Sequence, residues 1–203
     1  MHASKKVNCK SASKGMVFIL GFVLALMITR AESAEVSGQI TENTTWDLKH
    51  SPFELKGDVQ IWKRSESAEI VELRIESGVE VNLKGFRIIA GSKQSIPELT
   101  CYPGRIIADR VRFLGKGKVV LAYGEKNVIL NCLFDSVHLL LGGETKTISS
   151  GKIQNVTMNH ADIIIYAGKW EIAGGKLLNG TISHKSPAIP GILSPNLNTF
   201  IFY

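Results

Sequence analysis

Asp135, Asn159 and Ser183 recur at intervals of 24 residues, each directly behind a large apolar residue, and Ser136, His160 and His184 recur one position later. Asp162 lies three residues beyond Asn159. Carboxylate, imidazole and amide groups held together can move protons or bind polyols and cations. Cleaving a glycosidic bond generally takes two carboxylates about 5–10 Å apart. Strands stacked at about 4.8 Å supply that distance between neighbours, and about 9.6 Å between alternates. The columns hold only one carboxylate, Asp135, with Asp162 at the same rim. Asp135, Asn159, His160, Asp162 and His184 therefore read as a polar patch suited to a glycan or a cation. Ordinary turn residues are the preferred reading of the same positions, since Asp, Asn and Ser dominate turns. Two histidines without a third ligand make a weak metal site. No Ser/His/Asp triad, P-loop or dinucleotide fingerprint is present. No catalytic residue can be assigned, and neither a metal nor a cofactor is expected.

What would hold such residues in columns is a repeat. "SSGKIQNVTM" (Ser149 to Met158) and "AGGKLLNGTI" (Ala173 to Ile182) share Gly, Lys, an aliphatic residue, Asn and Thr, 24 residues apart. Taking the last residue of each as a marker gives a nearly even apolar column: Ile88, Phe113, Phe134, Met158, Ile182. Two positions earlier run Phe86, Val111, Cys132, Val156 and Gly180, and one before that Gly85, Arg110, Asn131, Asn155 and Asn179. Short runs such as "KVVLAY", "NVILNCLF" and "DIIIYAG", punctuated by Gly and Asn, read as strands and turns. No capped apolar stripe of helical period follows Ser33. A short repeat of strands and tight turns is the signature of a β-solenoid, in which stacked units build a core that none could bury alone. The columns then point inward. Thr157 and Thr181 point outward, and Asn131, Asn155 and Asn179 sit at corners. Asn tolerates left-handed backbone there, and stacked Asn side chains can hydrogen-bond between units. Asn155 and Asn179 also complete N-x-Thr sequons, a role the corner register outranks.

The 203-residue chain opens with Lys5, Lys6, Lys10 and Lys14, then an unbroken apolar run from Met16 to Ile28, then "TRAESAE". That order is a secretory signal peptide, with cleavage after Ser33 placing Ala31 and Ser33 at the two small-residue positions. As a helix the apolar run spans about 20 Å, short of the roughly 30 Å hydrocarbon core. The leader holds five bases and one acid, so the net charge of +6 falls to +2, with 19 bases against 17 acids. The pI of about 9.2 is thus largely the leader's, and no clustered basic reader of nucleic acid remains. Cys101 and Cys132 are the cysteines left. One disulfide between them is an alternative to a buried free thiol at Cys132, the reading preferred here.

"SGQITENTTWDLKHSPFELKGDVQIWKRSESAEIVELRIESGVEVNL" carries a family resemblance. It resembles the opening segment of secreted bacterial right-handed parallel β-helix proteins, where a line G-x-I … T-W … SP-[FY]-x-[LV]-x-G-[DN]-[VL]-x-[VI] … L-x-I-x-x-G-V-x-[VI] starts the coil. Here it is Gly38, Ile40, Trp46, Ser51, Pro52, Phe53, Leu55, Gly57, Asp58, Val59, Ile61, Leu73, Ile75, Gly78, Val79 and Val81. One departure is the polar "KRSESAE" stretch, which replaces a tight Gly turn and implies an extended loop. The resemblance implies an all-β, single-stranded right-handed parallel β-helix (β-solenoid) of the pectin-lyase-like type, with coils of about 21–25 residues. It implies no enzyme, although such folds often carry polysaccharide lyases and hydrolases.

The expected organisation is a signal peptide over 1–33, an entry or cap with the first coils over 34–83, repeating coils over 84–185, and a tail or cap over 186–203. Ser95 to Gly104 is expected to protrude as a loop, and Pro187, Pro190 and Pro195 to end the regular coil. Two functions follow. The first is an extracellular or envelope scaffold that binds a polysaccharide, another cell-surface component or a protein without turnover. The second is a carbohydrate-active enzyme, whole or truncated. Neither nucleic acid nor a membrane span after leader removal is expected, and association through coil ends is.

Overall fold

In the computed structural model the described residues are 33–64, 69–93, 101–142, 149–185, 196–198 and 201–202. Residues 1–32, where the leader is expected, lie outside them, as do residues 65–68, 94–100, 143–148 and most of the tail. The chain forms, in order, β1 (Ala34–Ile40), β2 (Thr44–Trp46), β3 (Phe53–Ile61), β4 (Val71–Ile75), β5 (Glu80–Asn82) and β6 (Arg87–Ala90). Then come β7 (Ser92–Lys93), β8 (Cys101–Tyr102), β9 (Gly104–Asp109), β10 (Arg112–Leu121), β11 (Gly124–Leu130) and β12 (Leu133–Leu141). The last are β13 (Ser149–Asn159), β14 (Ile163–Ile165), β15 (Lys169–Leu178), β16 (Ile182–His184), β17 (Asn196–Asn198) and β18 (Ile201–Phe202). The described helix is one 3-10 turn, Leu48–His50. Sixteen strands form one sheet, and its pairings are parallel; β7 and β8 make a separate antiparallel pair. The fold is all-β, built on one large parallel sheet.

Alternation drives burial. In β9 every second residue is buried and the others are half-exposed, as β-branched and aliphatic side chains on a pleat require. Strands pair with others one repeat later, in three ladders. The first joins the start of β1 to β3, β5, β10, β12, the end of β13 and the end of β15. The second joins the end of β1 to β3, β6, β10, β12, β14 and β16. The third runs β2, β4, β9, β11, β13, β15 and β17.

Phe113, Phe134 and Met158 do stack, with the two rings 4.7 Å apart and 17° from parallel. The ends of the expected apolar column belong elsewhere. Phe113 pairs with Val81, further back along the chain than the repeat implies, while Ile88 pairs with Val119 in the second ladder. Met158 pairs with Leu177, sooner than the repeat implies, while Ile182 pairs with Ile163. The repeat length is therefore not constant. The β7–β8 pair and the residues around it lengthen one unit, and the unit from Met158 to Leu177 is contracted. The two similar decapeptides are not in register either, for Asn155 lies near Gly174 rather than Asn179. Likewise Val79 and Gly175, not Phe86 and Gly180, continue the column of Val111, Cys132 and Val156.

The corners take left-handed backbone, as their sequence suggests: Arg110, Asn131, Asn155 and Asn179 have φ of 55°, 53°, 52° and 56°. Asn155 Nδ2 donates to Asn131 Oδ1 (3.3 Å), and Asn131 Nδ2 to Asp109 Oδ1 (2.7 Å). That amide ladder stops at Gly174, where a Cβ would fall 2.4 Å from Asn155 Oδ1. The expected loop from Ser95 is shorter than anticipated, since Cys101 is already in β8 and Gly104 starts β9. Beyond the prolines, β17 and β18 return to β15 as further strands. Cys132 is a free, buried thiol, and burial pushes it up to about 12, so it stays protonated and unreactive at neutral pH. No described helix is long and apolar enough to cross a membrane.

Candidate functional site

The residues with chemical potential lie where the first ladder turns into the second. Asp135 in β12 and Asn159 at the end of β13 are register partners, and Asn159 Nδ2 donates to Asp135 Oδ1 (3.0 Å). The Ser136 hydroxyl lies 3.4 Å from the same oxygen. On its other side Asp135 pairs with Leu114, so neither strand partner of Asp135 is an acid.

His160 occupies the turn itself, exposed, with φ 49°. Its backbone N–H donates to Leu178 O (2.8 Å), and its Nε2 lies 3.3 Å from Asn179 Nδ2. Asp162 opens the second face. Its Oδ1 accepts from both the backbone N–H and the hydroxyl of Thr181, each at 2.8 Å. Its Oδ2 is 3.2 Å from His138 Nδ1, and its own N–H donates to that same nitrogen at 3.2 Å. A neutral His138 that accepts there carries its proton on Nε2; a charged ring would instead donate Nδ1–H to Oδ2.

His184 does not join them. It ends β16 as the register partner of Ile165, so it does not stack on His160 as a constant period required. The unit length again explains the miss: the unit from Met158 to Leu177 is shorter than the two before it, which brings Asn179 to His160. Sequence reasoning also passed over His138, although it stands one regular unit before Asp162, in the same register that links Asp135 to Asn159.

The arrangement resembles others along the same face. Asp58 Oδ1 accepts the Arg87 backbone N–H (2.9 Å) one strand later, and Oδ2 receives Arg87 Nε (2.9 Å). Those side-chain hydrogen bonds hold the Asp58 carboxyl below its usual range. A side chain that accepts the next strand's N–H is thus a recurring stitch between units. Among the described residues no three His, Cys, Asp or Glu side chains converge as metal ligands. Comparison with protein-family models, curated proteins and solved structures finds no match to the chain.

Proposed function

We propose that the chain is an exported right-handed parallel β-helix of the pectin-lyase-like type, a scaffold of the cell envelope or exterior that binds glycan or another surface component without turning it over. Support for the coil comes from the order of the ladders: the chain visits first, second and third in turn, then returns to the first one strand further on. Right-handed crossover is the rule for parallel strands in one sheet. Support for export comes from the basic and apolar leader, and the larger compact unit starts beside the expected cleavage point.

One observation carries the non-catalytic reading. Oδ1 of Asp162 already accepts twice from Thr181, and its Oδ2 faces the His138 ring at 3.2 Å. Asp135 is engaged by Asn159 and Ser136 at Oδ1 alone, and neither of its strand partners is an acid that could complete a carboxylate pair. A general acid or a nucleophile needs an oxygen open to the sugar. The rim of Asp135, Asn159, His160 and Asp162 is left with amide and imidazole edges that suit weak binding of hydroxyl groups.

A single observation favours the enzyme reading instead: Asp162 and His138 are a titratable pair on a half-exposed rim. Turnover assays on plant, algal and bacterial polysaccharides distinguish the two. The expected result is no cleavage, with weak glycan binding that His160→Ala reduces. If cleavage occurs, Asp162→Asn and Asp135→Asn decide it, because an amide can keep the Thr181 bonds. A loss of about a hundredfold in either overturns the scaffold reading.

A further inference from the structure

We propose that the outer edge of β1 (Ala34–Ile40) is a self-association surface, on which two copies of the processed chain pair antiparallel about a twofold axis at Ser37. The inference rests on the export reading above, because cleavage after Ser33 makes Ala34 the first residue. Nothing then precedes β1 that could fold over its edge, and among the described residues β1 pairs with β3 alone.

The free edge has the chemistry of a strand partner. Ala34 N–H donates to Pro52 O (3.0 Å) and Ile40 O accepts from Trp62 N–H (3.1 Å), so both residues turn their backbone groups to β3. Alternation along the strand then turns the N–H and C=O of Glu35 and Gln39 outward, where no described strand meets them. Unpaired edge groups of this kind template another strand.

The occupant is a second copy because β1 is self-complementary about Ser37. A twofold axis there sets Glu35 against Gln39 of the other copy as a doubly hydrogen-bonded antiparallel pair. Glu35 is the one charged residue of the strand, so it meets a neutral amide and no like charge. On the inner side, Ala34 faces Ile40 and Val36 faces Gly38, small against large in both cases. A Cβ on Gly38 would meet nothing within 4 Å, which leaves room for the partner's Val36. Val36 and Ile40 are only partly buried on the end of the core, and pairing would cover them. The strand bends at Gly38, φ 89°. A twofold axis beside that bend carries each arm onto the other, so the bend does not obstruct pairing.

Intact mass of the exported protein reads its first residue, and sedimentation equilibrium reads its oligomeric state. The expected result is a chain that begins at Ala34 and dimerises. Gln39→Glu sets two carboxylates against Glu35 across the axis and should weaken the dimer about tenfold; Gln39→Lys should tighten it by about as much. Glutamate loses the Gln39 Nε2 bond to Trp62 O, whereas lysine can still donate there. The control is therefore Glu35→Gln combined with Gln39→Glu, which again sets one carboxylate against one amide while lacking that bond. It should return the dimer to near the parent's strength. An exported chain that keeps residues ahead of Ala34 overturns the processing and the free edge with it. A chain that begins at Ala34 but stays monomeric, or Gln39 variants that shift the same way, overturns the edge pairing while the processing stands.

Discussion

Met158→Lys is expected to destabilise the protein by about 3–5 kcal/mol, because it buries an ammonium with no counter-ion. Met158 is fully buried between Phe134 and Leu177, its partners in the first ladder. The thioether is the flexible link between an aromatic stack on one side and an aliphatic one on the other. Nothing near it in that column can pair a charge. Thr157→Lys is the control. Thr157 is one residue away, half-exposed, with Leu133 and Lys176 as strand partners. The same ammonium there stays in water and costs under about 1 kcal/mol, most of it repulsion from Lys176. Urea unfolding midpoints at unchanged slope measure both. Similar losses at the two positions would mean that the inward column is assigned wrongly.

Met158 also marks how far the sequence could be read. Where units kept a nearly even spacing, from Val111 to Met158, large apolar residues recurred and the column could be drawn without a structure. Asparagine at the corners was legible for a related reason, since few other side chains adopt left-handed backbone cheaply. Arg110 broke the lettering yet not the conformation, with φ 55°. Period reasoning failed wherever a turn changed length. Between Val81 and Phe113 the unit stretches, and Ile88 looked right in its place because the second ladder is as aliphatic as the first. Between Met158 and Leu177 it contracts, which misplaced Ile182 and, with it, His184. The candidate site suffered in proportion. Asp135 and Asn159 lie inside the regular stretch and do meet, whereas His160 finds Asn179 rather than His184. Composition could not show that Oδ1 of Asp162 was already occupied. That depends on which N–H the next turn presents.

Asn127→Leu should cost about 3 kcal/mol or more, although it exchanges a polar side chain for an apolar one of similar size in a core. Asn127 is 1% exposed. The pairing of β11 with β13 slips between Gly124 and Asn127, and such a slip leaves backbone groups that no ladder satisfies. The amide supplies what they need. Its Oδ1 accepts from Ile106 N–H (3.0 Å), and its Nδ2 reaches Gly124 O (3.3 Å) and Ser150 O (3.1 Å), so one side chain joins three successive units. Leucine would strip partners from Ile106 and Ser150, at about 1–3 kcal/mol for each buried group left unmade. Gly124 O would keep the Ser149 hydroxyl at 3.3 Å. Ser149→Ala is therefore the milder change, about 1 kcal/mol, since Gly124 O then keeps Asn127. Denaturant unfolding ranks the two, and hydrogen exchange at the Ile106 amide should accelerate in Asn127→Leu but not in Ser149→Ala. A leucine variant as stable as the parent would show that the slipped turn finds other partners. In that case the polar brace at Asn127 does not hold the three units together.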